Sequence, residues 1–149
     1  MTISMIKALL DACYQAKRAR ELLPALPKGV TSSYIQYLDT IETLERQGVR
    51  VKVSDISDAL HLPRPGVTRT VKEMEDKGYL QKSSSEEDGR VMYLTITEQG
   101  RKLSQTFNEQ FFAQLAPMLG DISDEDAACT IRTIQALYDV MAERRITLV

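Results

Sequence analysis

Tryptophan is absent from the 149 residues, histidine occurs once, at His61, and cysteine twice, at Cys13 and Cys129. The two cysteines lie far apart, outside any C-x-x-C or Cys/His cluster, so neither a structural zinc site nor a disulfide framework is implied. Each falls on an apolar helical face without a cation immediately beside it, which reads as a buried structural thiol rather than a reactive one. There is no Gly-rich phosphate loop, nucleophile motif or metal-ligand cluster, so no metal, cofactor or enzymatic activity is expected. Also missing is any apolar run approaching the roughly 18 residues that a membrane span requires, and the expected location is the cytoplasm, away from membrane. Charge of one sign is not in excess: 19 Lys and Arg stand against 21 Asp and Glu, a formal net charge of −2. Global charge therefore does not point to nucleic acid, and only a local clustering of cations on one face can do so.

What is present is a succession of amphipathic segments in a chain that is 43% hydrophobic and 27% charged, ordinary values for a folded soluble protein. Residues 3–23 place Ile6, Leu10, Cys13 and Tyr14 at helical spacing, with Lys17, Arg18 and Arg20 late in the run and Pro24 and Pro27 as stops. Thr31, Ser32 and Ser33 offer caps for a second helix carrying Tyr34, Leu38 and Ile41, with Gly48 as its terminator. After an extended piece at Val51-Lys52-Val53, Ser54 is the expected cap of a short helix that buries Ile56, Ala59 and Leu60. His61-Leu62-Pro63 breaks it, and a further helix starts near Arg64, accepts Pro65 in its first turn, buries Val67, Val71 and Met74, and ends at Gly78.

The next stretch alternates. Residues 79–82 read as extended, residues 83–89 as a polar loop ending in Asp88-Gly89, and residues 90–96 as a strand with Met92, Leu94 and Ile96 on one face. Thr97 then caps a predicted long helix with Leu103, Phe107, Phe111 and Leu115 at four-residue spacing, closed by Pro117 and Gly120. Ser123 opens a last helix with an acidic first turn and an apolar face of Ala127, Ile131, Ile134, Tyr138 and Met141. The fold class expected is mainly α with a small β-hairpin wing, a winged helix-turn-helix flanked by helical extensions.

In such a motif the second helix packs one face on the first and presents the other to the major groove of double-stranded DNA, which calls for cationic and small polar side chains opposite the apolar stripe. Arg64, Pro65, Thr68, Arg69 and Lys72 meet that requirement. Arg64 can pair bidentately with guanine and Pro65 can meet a thymine methyl. Thr68 can reach a base edge or phosphate, and Arg69 and Lys72 can read bases or anchor phosphate. The same cations also suit a solvated helix face laced by Arg69–Glu73 and Lys72–Asp76 pairs, and spacing alone does not decide. The apolar stripes of the first, fifth and last helical segments exceed what one small winged domain can cover, so either a second subunit or an intramolecular bundle must cover them.

Val53-Ser54-Asp55-Ile56-Ser57-Asp58-Ala59-Leu60-His61-Leu62, followed by Val67-Thr68-Arg69-Thr70-Val71-Lys72-Glu73-Met74, resembles the MarR family of transcription regulators. Asp88-Gly89-Arg90 is similar to that family's D-x-R wing motif, and Ile96-Thr97-Glu98-Gln99-Gly100 to its L-T-x-x-G junction, whereas Pro63-Arg64-Pro65 departs from the small capping residue usual at the start of the recognition helix. The resemblance implies a homodimer formed through residues 1–30 and 98–149, with residues 31–97 as the DNA-binding region. It implies that Arg90 enters the minor groove, oriented by Asp88. It further implies a regulator, more commonly a repressor, released by a small aromatic or phenolic effector, for which Tyr14, Arg18, Tyr34 and Tyr37 are the candidate contacts. The acidic pair Glu86-Glu87 motivates an alternative, a winged-helix protein-interaction module without DNA binding.

Overall fold

The computed structural model describes residues 1–148. The chain divides into two compact units, residues 26–115 and residues 1–25 with those from 116 onward. Every buried side chain among the described residues belongs to the first of these.

In that unit α2 (Ser32–Arg46), α3 (Val53–Leu60), α4 (Arg64–Asp76), β1 (Leu80–Ser84), β2 (Met92–Ile96) and α5 (Glu98–Ser104) enclose one core. Tyr34, Leu38 and Ile41 of α2, Ile56 of α3, Val67, Val71 and Met74 of α4, Leu80 of β1 and Leu94 and Ile96 of β2 are among its buried members. Their spacing is three or four residues in the helices and two in the strands, the periods at which one face of each element points inward. The strands pair antiparallel from Leu80 opposite Ile96 to Ser84 opposite Met92. Ser83 and Ser84, expected in the loop, are thus paired strand residues, and Met92 at the outer end of the ladder is exposed where a core position was expected. The extended piece at Val51 joins the sheet through one bond, its carbonyl accepting from Leu94 N–H at 2.8 Å.

The turn between α3 and α4 has its own lock. His61 adopts the left-handed conformation (φ 52°), and the Leu62 N–H donates back to Ser57 C=O at 3.1 Å, the pattern that closes a helix C-terminus. The Ser57 hydroxyl, buried, donates to Leu62 C=O at 2.5 Å, so both chain directions of the turn are tied to one residue. Ser57 takes the inward place expected of Ala59, which is exposed. The α3 cap differs too: Lys52, not Ser54, is the capping position, and Asp55 reaches back to accept from its N–H at 2.8 Å. Ser57→Ala is expected to cost about 1 kcal/mol, the net value of one well-formed hydrogen bond. Urea denaturation checks this, and an unchanged midpoint would mean that the turn is held by its backbone alone.

At the far end of the hairpin Thr97 caps α5, accepting from Gly100 N–H at 3.1 Å while donating to Gly78 C=O at 2.5 Å, and its own N–H donates to Tyr79 C=O at 3.1 Å. Gly100 is buried there. A Cβ at that position would overlap the Tyr79 carbonyl oxygen and lie 2.8 Å from Ile96 Cγ2.

The long helix expected after Thr97 is not continuous. It runs as α5, a π-helical segment (Gln105–Gln110), α6 (Phe111–Leu115) and a 3₁₀ turn (Ala116–Leu119). A polar chain joins α2 to the π segment. Asn108 spends its amide hydrogens on Ile35 C=O (3.1 Å) and Ser104 Oγ (2.8 Å), and Ser104 donates to Glu42 (2.9 Å). Arg101 pairs with Glu45 at 3.4 Å beside it.

The second unit contains α1 (Ile3–Arg20), capped by Thr2, and α7 (Asp124–Glu143), capped by Ser123, whose hydroxyl accepts from Asp126 N–H at 3.0 Å. No side chain of either helix is buried, and Ile131 and Tyr138 are each 68% exposed. Cys13 is half-buried and Cys129 exposed, which corrects the expectation of buried thiols; the faces that carry them are uncovered in a single chain. No helix is long and apolar enough to cross a membrane among the described residues.

Candidate nucleic-acid interface

α4 begins at Arg64 behind the capping residue Pro63, with Pro65 in its first turn where no intrahelical N–H is lost. Burial of Val67, Val71 and Met74 turns the opposite side outward, and that side carries Arg64, Pro65, Thr68, Arg69 and Lys72, all exposed. Arg64, Thr68 and Lys72 follow one another at four-residue intervals, with Pro65 and Arg69 alongside, so the five make one contiguous face along the first turns of α4. Gly66 borders it, and nothing stands within 4 Å of where its Cβ would be.

The pairs that would neutralise this face are not formed. Among the described residues no ion pair involves Arg64, Arg69, Lys72 or Arg90. The Glu73 carboxylate is turned away from Arg69 and accepts from the Tyr34 hydroxyl at 3.1 Å, and Lys77 donates to the same hydroxyl at 3.1 Å and to Gly29 C=O at 2.5 Å. Spacing could not reveal this arrangement, because Tyr34 lies 39 residues from Glu73 in the chain.

The wing tip is built around two side chains. Ser85 Oγ accepts from Glu87 N–H (3.3 Å) and Asp88 N–H (3.4 Å), and Asp88 Oδ1 accepts from Arg90 N–H at 3.0 Å. Asp88 therefore orients Arg90 through the backbone, and the guanidinium is left exposed. One residue pair in from the outer end of the ladder the Arg50 guanidinium stacks 3.9 Å over the Tyr93 ring, bracing β2 against the loop before α3.

The four aromatic and cationic candidates for an effector contact are divided between the units. Tyr34 and Tyr37 are buried in the core of residues 26–115, while Tyr14 and Arg18 are exposed on α1. Among the described residues no cluster of three or more His, Cys, Asp or Glu side chains forms a metal site.

Comparison with known proteins places this architecture. Residues 28–91 match the model of the MarR family. The chain is similar to two HTH-type transcriptional regulators of Bacillus subtilis (strain 168). It is 30% identical to YwoH over 111 residues, 74% of this chain and 76% of that protein. To YdgJ it is 26% identical over 117 residues, 78% of this chain but only 65% of that protein. Among solved structures, Streptococcus pneumoniae FabT in complex with DNA superposes with a TM-score of 0.67 at 22% identity, covering 95% of this chain and 99% of that one. Helix-turn-helix, wing and junction thus agree with the sequence comparison, and the chain belongs to the MarR family of winged helix-turn-helix transcriptional regulators.

Proposed function

We propose that the protein is a homodimeric, sequence-selective regulator that binds double-stranded DNA with α4 in the major groove and the wing tip in the minor groove. The observation that carries this reading is the exposed, ion-pair-free face of Arg64, Thr68, Arg69 and Lys72 together with the exposed Arg90. Arg64, at the N-terminal end of α4, reads a base edge, with Pro65 beside it against a thymine methyl. Thr68, Arg69 and Lys72 divide between base edges and phosphates, and Arg90, its backbone held by Asp88, enters the minor groove. The similar fold of FabT, solved in complex with DNA, supports DNA as the partner.

Surface chemistry supports the dimer. Leu10, Tyr14, Ile131, Ile134, Tyr138 and Met141 are all exposed in the single chain, a larger apolar display than a soluble monomer leaves uncovered. Residues 1–30 and 98–149 supply that interface, and a twofold dimer presents two copies of α4 to two half-sites. Repression in the cytoplasm, the commoner behaviour in this family, is the proposed outcome of occupying such a site. A small aromatic or phenolic effector releases the dimer by binding more tightly to a form whose α4 helices are wrongly spaced; Tyr14 and Arg18, being exposed, are the more accessible of the candidate contacts, ahead of Tyr34 and Tyr37.

Selection of bound duplexes from a random library at two salt concentrations tests the reading, with the mass of the free protein measured in parallel. An inverted repeat with half-sites about one helical turn apart, weakening as salt rises, is the expected result. A monomeric mass, or no enrichment at either salt, would overturn it in favour of a winged protein-interaction module.

A further inference from the structure

Glu73 is a carboxylate poised to spoil the cationic face of α4 at Arg69. It lies four residues beyond Arg69, the interval at which opposite charges on a helix pair, yet no such pair is formed among the described residues. The carboxylate is instead captured from the core side. Tyr34, 1% exposed and rooted in α2, directs its hydroxyl outward between α2 and α4, where it donates to Glu73 and accepts from Lys77, each at 3.1 Å. Lys77 is held in turn by Gly29 C=O and lies 5.1 Å from the Tyr34 ring centroid. A neutral hydroxyl thus bridges a cation and an anion, and its position is fixed by a ring that cannot move without disturbing the core.

We infer that Tyr34 and Lys77 are positioning residues for DNA recognition: by holding Glu73 off the outward side of α4 they keep the Arg69 guanidinium free for nucleic acid. This rests on the DNA-binding reading above. A guanidinium already paired with a neighbouring carboxylate must give up that pair before it can meet a phosphate or base, and the competing charge also repels phosphate. Capture of Glu73 removes the first obstacle and places the carboxylate one hydroxyl away from the Lys77 ammonium, which offsets the second.

The variant Tyr34→Phe/Lys77→Met removes the hydroxyl that holds Glu73 and the ammonium that anchors that hydroxyl, while keeping the buried ring and most of the lysine stem. It is expected to bind the selected duplex about tenfold more weakly than wild type, with the salt dependence of binding reduced by about one counterion. Adding Glu73→Gln, which removes the competing charge, is expected to restore affinity to within about twofold. A loss that persists with Glu73→Gln would overturn the inference, because it would mean that Tyr34 or Lys77 acts through the fold or touches DNA itself. Should the double variant fold poorly, Tyr34→Phe alone carries the test, with a smaller loss that Glu73→Gln again cancels. A second readout needs no DNA: the Arg69 Nε–H resonance of the free protein should exchange several-fold more slowly with solvent in the double variant than in wild type. No change in that exchange would sink the positioning role whatever the DNA result, whereas slowed exchange in a protein that binds no duplex would uphold the Glu73 capture and sink the DNA-binding reading.

Discussion

Gly100→Ala is expected to lower the stability of the protein by about 3 kcal/mol, the upper end of the usual overpacking cost, because the added methyl has no direction in which to relax. Its Cβ would overlap the Tyr79 carbonyl oxygen, a backbone atom already engaged by Thr97 N–H, and would crowd Ile96 Cγ2 at 2.8 Å. Relief requires moving the start of α5 away from the hairpin, which also breaks the Thr97 cap. For a chain of this length that loss corresponds to a fall of roughly 6–12 °C in the melting temperature. Gly66→Ala is the control. Gly66 sits inside α4 with open space around its missing Cβ and has no positive φ, so alanine there should stabilise by about 0.5–1 kcal/mol. Thermal unfolding of both variants decides, and equal effects would show that the Gly100 contact relaxes freely.

Arg64→Ala and Arg90→Ala are expected to be the most damaging substitutions for DNA binding, and in different ways. Arg64 stands at the N-terminal end of α4, so its loss should cost about 1–3 kcal/mol on the best duplex and relax selection at one base pair in each half-site. Arg90 lies at the wing tip, and its loss should weaken binding more evenly while reducing the preference for narrow, A·T-rich minor groove flanking the half-sites. The two side chains stand on separate elements without a common partner, so the double variant should combine both losses nearly additively, at about a hundredfold or more. Binding isotherms at several salt concentrations against the selected duplex and a scrambled one measure this. Unchanged affinity in the double variant would refute the docking mode.

Much of this architecture could be read from period and punctuation. Thr97 and Ser123 cap the helices predicted for them, Gly48 and Gly78 adopt the positive φ of helix terminators, and the hairpin lies between the predicted limits to within a few residues. The α3 cap was missed because Asp55 reaches back to a lysine, so the signal sits three residues inside the helix rather than at its start. The π segment was visible but unread. Leu103, Phe107, Phe111 and Leu115 recur every four residues, longer than the 3.6 of an α-helix, so an unbroken α-helix would carry them steadily around its surface. A stretch with roughly one more residue per turn takes up that drift and keeps Leu103 buried and the other three half-buried. The capture of Glu73 by Tyr34 had no local signal, since it depends on where a side chain turns in three dimensions, whereas the bond from Arg90 N–H to Asp88 is the local turn that an aspartate favours.

The clasp at the base of the hairpin bears on how this protein can change over generations. Thr97 holds Gly78 and Tyr79 through two hydrogen bonds, so residues 78–97 form a closed excursion whose two ends meet regardless of what happens at its tip. Lengthening a loop whose ends are already pinned costs little, about 0.6 kcal/mol for each doubling. Insertions and deletions near residues 85–90 should therefore be among the most readily inherited changes in the chain, leaving the core and α4 undisturbed while altering how far the wing reaches along a duplex. On the proposed docking, lineages can retune the flanks of their operator by varying wing length, whereas Gly100, which closes the clasp, is the position they cannot afford to vary.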